Sequence, residues 1–462
     1  METAGQRGQY VTLSHCWGNS KPSVTDEHTY AQHLKSMPFS TMPRTFQHAI
    51  TVVRELGYRY LWIDCYCILQ DSRLDWEHEC AHMDSIFEQA ALTICGPDAG
   101  STTAGFLHER PRPRVPGCTL KWNSTLRTAT DTLTVGLMDT QSLTDKDRES
   151  APLTKRAWIV QERLLSPRLL FFANSQLYFE CMTGDFYESY WRPVFSSASA
   201  IGSTALLRKG MLVHDDTVNI VDNVWRRTAS NYSACQLSSQ DDKLPALSGL
   251  ARRYATFKDD EYFGGIWRKS MIDDLIWYRS EPLSTMIHTR VYTAPSWSWA
   301  SQPNSITFKV DLHTIISADA RVRHADTVRR DEDAFGALTW GLLSLEARTQ
   351  EFGIGQPLPE HPPGTSSGAV FLRRLPVDIK EDLVFRPDYG AVHLLPDRSQ
   401  VTCLYLGADQ RELWVGMAIQ RFGRENSFQR IRLVTQVPRR GITNPTPEED
   451  WQHFEKRNVL LV

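Results

Sequence analysis

No apolar run in this chain of 462 residues is long enough to cross a bilayer. Its most apolar stretch, Leu164 to Phe179, is interrupted by Arg168, Asn174 and Gln176. A spanning helix needs about 18 or more apolar residues without such breaks. The first ten residues, METAGQRGQY, contain no apolar leader. Charge of one sign is missing too. Lys and Arg number 51 against 54 Asp and Glu, a net charge of −3, which speaks against a nucleic-acid-coating protein. Cysteine is sparse: nine are scattered along the chain, an odd count without the density of a disulfide scaffold. These absences predict a reducing, cytoplasmic setting with no nucleic-acid partner and no membrane segment.

What is present suits a folded globular protein. Hydrophobic residues make up 41% and charged residues 23%, which excludes a disordered chain. At about 150 residues per domain the length suggests roughly three domains. Tyr10 to Ser14 reads as a short strand, and Thr41 to Leu56 as a helix with Phe46, Ile50, Val53 and Leu56 on one face. Tyr60 to Ile63 reads as a buried strand, Asp75 to Ala90 as a second helix and Ala91 to Cys95 as a third strand. This β-α-β-α-β order predicts a parallel sheet with Tyr10–Ser14, Tyr60–Ile63 and Leu92–Cys95 as parallel neighbours. Pro97 to about Pro152 reads as loop. A short helix follows at Lys155–Leu165, then a hairpin of Leu169–Phe172 and Gln176–Phe179. Helical patterns dominate from about 210 to 280, and the texture then turns β-like. A Pro/Gly/Ser loop is expected at 356–368, and a terminal meander at Val401–Leu406, Leu413–Val415 and Gln429–Val434.

In an open parallel sheet, ligands bind beyond the carboxyl ends of the strands. Those ends carry Ser14, His15 and Trp17 after the first strand, and Asp64 and Gln70 after the second. Cys65-x-Cys67 and His78-x-Cys80-x-His82 supply soft metal-ligand types. Cys80 falls on the apolar stripe, away from the face His78 and His82 share, and C-x-C lacks the usual structural zinc spacing. If the second strand runs through them, Cys65 and Cys67, two positions apart, share one face, with His78 and His82 on a separate helix. No metal is therefore expected. Gly364-Thr-Ser-Ser-Gly368 matches a nucleophile elbow only in letters, since it lies in the Pro/Gly/Ser loop. Neither a dinucleotide fingerprint nor a P-loop is present.

Three blocks share one resemblance: Tyr10-Val-Thr-Leu-Ser-His-Cys-Trp-Gly18, Tyr60-Leu-Trp-Ile-Asp-Cys-Tyr-Cys-Ile-Leu-Gln70 and Arg156-Ala-Trp-Ile-Val-Gln-Glu-Arg-Leu-Leu165. They resemble the signature blocks of the fungal heterokaryon-incompatibility (HET) domain, with Met83 and Ala90 at the family's M…A positions. Asp242-Lys-Leu-Pro-Ala-Leu-Ser-Gly-Leu-Ala251, Gly265-Ile-Trp267 and Ala294-Pro-Ser-Trp-Ser-Trp-Ala300 look like the tail of many such proteins. Two features depart from the pattern. The first block starts nine residues in, where relatives carry a further strand-bearing segment, and His78, Cys80 and His82 lie outside it. The latter weakens a metal reading further.

The resemblance implies an α/β class: a Rossmann-like, distantly TIR-like parallel sheet. It places a HET domain at 1–190, a helical region at 191–300 and a β-rich region at 301–462. It also implies a role in non-self recognition and programmed cell death, with self-association or a second incompatibility protein as partner. Some TIR domains hydrolyse NAD with a glutamate four residues after a tryptophan, and Trp158-x-x-x-Glu162 has that spacing. On a helix the two share a face, so Glu162 is the candidate catalytic carboxylate. Ser14, His15, Trp17, Asp64, Gln70, Arg156 and Trp158 are candidate substrate contacts, with NAD as substrate rather than bound cofactor. Arg156 or Arg163 is expected to keep Glu162 ionised. Two other readings stand beside this one: a non-catalytic self-associating adaptor, and an accessory enzyme of a specialised-metabolite or detoxification gene cluster.

Overall fold

The computed structural model describes residues 7–18, 23–110, 118–123, 130–135, 150–188, 190–194, 218–280, 292–308, 317–354, 370–374, 383–385, 400–408, 414–422, 427–435 and 455–462. The chain divides into two compact units, Met1–Leu212 and Val213–Val462. The Pro/Gly/Ser loop at 356–368 lies outside the described residues, as does Gly364–Gly368 within it.

The first unit begins with β1 (Tyr10–Ser14), α1 (Tyr30–Lys35), α2 (Arg44–Glu55), β2 (Tyr60–Trp62), α3 (Asp64–Cys67), α4 (Arg73–Glu88) and β3 (Leu92–Cys95). β4 (Cys118–Asn123) and β5 (Thr130–Val135) pair as an antiparallel hairpin inside the stretch expected to be loop. α5 (Trp158–Leu165) then leads to β6 (Arg168–Phe172), β7 (Leu177–Cys181), β8 (Gly184–Tyr187) and β9 (Tyr190–Val194). Seven of these strands form one mixed sheet in the order β2-β1-β3-β6-β7-β8-β9. β1 pairs in parallel with β2 and with β3, and β3 with β6. From β6 onward the pairing is antiparallel. The three N-terminal strands are thus parallel neighbours, as the crossover helices require. β2, expected to be buried, is instead a half-buried edge strand. It stops at Trp62, because Ile63 caps a helical turn.

Side-chain alternation gives the sheet two different faces. Val11, Leu13, Leu92 and Ile94 share one face with Phe46, Ala49, Val52 and Val53 of α2. Burying such side chains contributes about 1.5–3 kcal/mol each for the larger ones. The opposite face holds Cys95, Leu169 and Phe171 against Ile159 of α5. A line of hydroxyls crosses that second face. Thr12 and Thr93 are 2.7 Å apart, Thr93 and Ser166 2.6 Å, and Ser166 donates to the Glu162 carbonyl at 2.6 Å. Ser166 is the C-cap of α5, so the chain of hydroxyls ties that helix to two strands.

The second unit joins the helical middle to the β-rich end. α6 (Val218–Ser233) and α7 (Pro245–Lys258) precede β10 (Tyr262–Phe263), β11 (Ile266–Trp267), α8 (Met271–Asp274), β12 (Trp277–Arg279) and β13 (Ile306–Phe308). β14 (Ser317–Ala318), β15 (Arg321–Arg329), β16 (Leu338–Ile354), β17 (Val370–Arg374), β18 (Leu383–Phe385), β19 (Gln400–Ala408), β20 (Trp414–Phe422), β21 (Ser427–Thr435) and β22 (Glu455–Leu461) form a nine-stranded sheet. β19, β20 and β21 are consecutive antiparallel neighbours, the expected meander. The tail blocks meet in this unit. The indoles of Trp225 and Trp299 both donate to the Gly265 carbonyl at 2.9 Å. Gly265 has φ +100°, and a Cβ there would meet the Trp299 ring at 2.5 Å, so only glycine fits.

Candidate functional site

The order β2-β1-β3 reverses direction at β1: the first crossover leads to one side of it and the second returns to the other. A crevice at such a switch point, beyond the carboxyl end of the strand, is where open α/β sheets bind ligands. β1 ends there with Ser14, and His15, Cys16, Trp17 and Gly18 follow. Gly18 takes φ +81°, and a Cβ on it would sit 2.5 Å from that of Ser101. The turn after Trp17 therefore demands glycine.

Ser14 alternates onto the same face as Thr12, the face covered by α5. Its hydroxyl donates to Glu162 Oε2. Glu162 is 5% exposed. Burial pushes its carboxyl up to about 7, against the opposing pull of Arg156 and the Ser14 hydroxyl, and the Asp64 charge adds to the rise. This corrects the expectation of a carboxylate held firmly ionised. Arg163 turns away to pair with Glu180 of β7, its Nε 2.9 Å from Glu180 Oε2. Arg156 spends one guanidinium nitrogen on the His15 carbonyl, so it fixes the strand end while lending positive potential to Glu162. Among the described residues no ion pair closes on Glu162.

A second group of side chains adjoins the first. Trp17 Nε1 donates to Asp64 Oδ2 at 2.8 Å, and the Cys65 amide donates to Asp64 Oδ1 at 2.7 Å. Asp64 Oδ1 lies 3.6 Å from His15 Nδ1. His15 Nε2 lies 3.6 Å from Cys65 Sγ. The imidazole is buried, edge-on to the Phe46 ring with centroids 5.0 Å apart. Burial lowers its affinity for a proton, partly offset by Asp64 and by a hydrogen bond to the Leu13 backbone. Cys65 is buried, and desolvation together with Asp64 raises its thiol far above the ordinary value.

The structure thus gathers Ser14, His15, Trp17, Asp64, Arg156 and Glu162 at one strand end. Gln70 has a different task. Its side-chain amide donates to the carbonyls of Asp64 and Ile68 at 3.1 Å each, bracing the turn that carries Asp64. Trp158 opens α5 one turn before Glu162 and is half-buried. Cys65 beside His15 is not legible in the sequence, where spacing groups it with Cys67, His78, Cys80 and His82. The two cysteines lie on a helical turn, Cys65 buried and Cys67 exposed, rather than on a strand. His78 and His82 are exposed on α4 with ring centroids 4.5 Å apart, whereas Cys80 is buried. Among the described residues, the His/Cys/Asp/Glu group whose ligand atoms lie within 4.8 Å of one another is His15, Asp64 and Cys65.

Residues 10–162 match the family model described as Heterokaryon incompatibility protein (HET). The chain carries a HET domain. The matched stretch opens on the first residue of β1 and closes on Glu162, so it encloses the whole strand-end site. No curated protein and no solved structure matches the chain. Among the described residues, no helix is long and apolar enough to cross a membrane.

Proposed function

We propose that this HET domain acts in heterokaryon incompatibility by hydrolysing the nicotinamide–ribose bond of NAD, a TIR-like activity with Glu162 as its carboxylate and cell death as its outcome. The observation that carries this reading is a buried carboxylate at the switch point, held by a hydroxyl and, among the described residues, left without an ion pair. Cleavage of that bond passes through an oxocarbenium-like state, which a nearby carboxylate stabilises. The bonding electrons leave with nicotinamide as a neutral base, and water adds to the ribose carbon with loss of a proton. NAD brings its own positive charge on the nicotinamide ring. A carboxyl poised near 7 becomes fully ionised when that cation arrives, because an opposite charge within a few ångströms favours the charged form. Trp158, one helical turn away on the same face, is suited to flank the base, and Ser14 to orient the carboxylate.

Incubating the purified chain with NAD and following nicotinamide release tests the reading directly. Glu162→Gln, which keeps the shape and removes the charge, abolishes release and the killing of cells that express the protein. Glu55→Ala, on an exposed position of α2, changes neither. A folded Glu162→Gln protein that still kills replaces the enzyme with a self-associating adaptor, and an active protein without cell death points to a metabolic role.

A further inference from the structure

We propose that His15, Asp64 and Cys65 form a binding site for one soft divalent cation of the zinc type, with a water or other small donor in the fourth position. This inference stands apart from the NAD reading. A tetrahedral zinc with a bond of about 2.3 Å to sulfur and about 2.0–2.1 Å to nitrogen holds those two atoms about 3.6 Å apart. His15 Nε2 and Cys65 Sγ are separated by 3.6 Å, so the pair already has the spacing of bound ligands.

Three further observations fit a cation better than a chain of hydrogen bonds. First, the 3.6 Å between His15 Nδ1 and Asp64 Oδ1 is longer than a hydrogen bond, so the carboxylate does not hold the imidazole directly. Second, the imidazole hydrogen-bonds to the Leu13 backbone instead. A metal-ligating histidine commonly fixes its tautomer by giving one N–H to a carbonyl and keeping the other nitrogen bare. Third, Asp64 is anchored from outside by the Trp17 indole and the Cys65 amide, the kind of support that orients a ligating carboxylate. His15 and Cys65 are buried, while Asp64 is 19% exposed. The carboxylate is therefore the solvent-facing member of the group, on the side from which an ion enters. Binding exchanges the Cys65 proton for the metal, so affinity rises with pH.

Cobalt(II) is the probe, because thiolate ligation gives a sulfur-to-cobalt charge-transfer band in the near ultraviolet. The protein used carries His78→Ala and His82→Ala, since that exposed pair on α4 would bind cobalt independently. One equivalent of cobalt is expected to produce the band with release of a proton, and zinc is expected to displace it. Cys65→Ser abolishes the band, and His15→Gln and Asp64→Asn each weaken binding by about tenfold or more. Glu162→Gln retains the band whether or not NAD is cleaved, which separates this inference from the preceding one. Absence of the band in the parent, or its persistence in a folded Cys65→Ser protein, overturns the site. If Cys65→Ser does not fold, the band in His15→Gln decides: unchanged binding there overturns it equally.

Discussion

The Ser14 hydroxyl, at the last position of β1, donates to the carboxylate of Glu162, 148 residues further along the chain. This one bond joins the first signature block to the third. Its strength depends on its setting, because a hydrogen bond to a charged group in a water-poor site contributes more than one at a surface. Ser14 pulls the Glu162 carboxyl down against the lift of burial.

Removing that hydroxyl has a defined consequence for pH dependence. In Ser14→Ala the Glu162 carboxyl rises above about 7, so the acid limb of NAD hydrolysis moves to higher pH. At neutral pH activity falls by about fivefold, because losing roughly 1.4 kcal/mol of a charge-assisted hydrogen bond cuts the ionised share from about one half to about one tenth. Rates measured across pH on both proteins check this. An unmoved acid limb would show that Ser14 does not govern the carboxyl.

Glu162 also sets a pH dependence of stability. Its folded carboxyl holds a proton more tightly than an unfolded one. The stability this contributes is complete below the ordinary value of 4.5 and is lost as pH rises through about 7. Glu162→Gln removes the penalty. Relative to the parent it gains stability between about pH 5 and about pH 8, by roughly 3 kcal/mol at most. Buried neutral His15 works in the opposite direction below its unfolded value, but it is common to both proteins and cancels. Urea denaturation of each at the two pH values gives the difference.

Arg163 lies next to Glu162 in sequence yet serves a structural pair. Glu180 is 1% exposed, and Arg163 also stacks over the Phe171 ring at 5.4 Å. Arg163→Ala takes the guanidinium away from a buried carboxylate and destabilises the first unit by about 3–5 kcal/mol. Arg163→Ala with Glu180→Leu recovers most of that loss. Chemical denaturation of the single and double variants measures both.

In the second unit Lys243 is 2% exposed, and burial pushes its ammonium down to about 8. Its Nζ lies 5.7 Å from the centre of the Tyr232 ring, whose hydroxyl donates to the Lys243 carbonyl at 2.7 Å. A base with a lowered folded value costs stability while the unfolded chain holds the extra proton. That cost is full below about 8 and fades as pH rises toward the unfolded 10.5. Lys243→Met stabilises the unit at neutral pH by about 1–3 kcal/mol, and the gain shrinks at about pH 10. Thermal melts at the two pH values read it out.

The sequence carried the parallel core of the fold, because strand, helix and strand differ in period and each stops on a glycine, a proline or a polar run. It carried the location of the site for the same reason: Ser14, His15 and Asp64 are the polar residues that follow apolar strands. It did not carry the partner of Arg163. Adjacent residues on a helix point about 100° apart, so proximity in sequence misled where Glu180, on a strand not yet made, decided. The state of Glu162 was hidden because desolvation is the sum of everything packed around it. The β4–β5 hairpin was masked by Pro111, Pro113 and Pro116 just before it. Cys65 and His15 lie 50 residues apart, and only the turn after β2 brings them face to face.

The hydroxyls of Thr12, Thr93 and Ser166 have a direction. Ser166 gives its proton to the Glu162 carbonyl, so Thr93 must donate to Ser166, and Thr12 in turn to Thr93. Each hydroxyl has one proton to give, and no other arrangement leaves every link made. The line therefore has a head and a tail. Cutting it at Thr12 removes only the last donor, while cutting it at Ser166 leaves the Glu162 carbonyl to the Ser166 amide alone and takes from Thr93 the acceptor of its proton. Three residues of similar size, chemistry and burial thus carry unequal importance, ranked by their order in the queue.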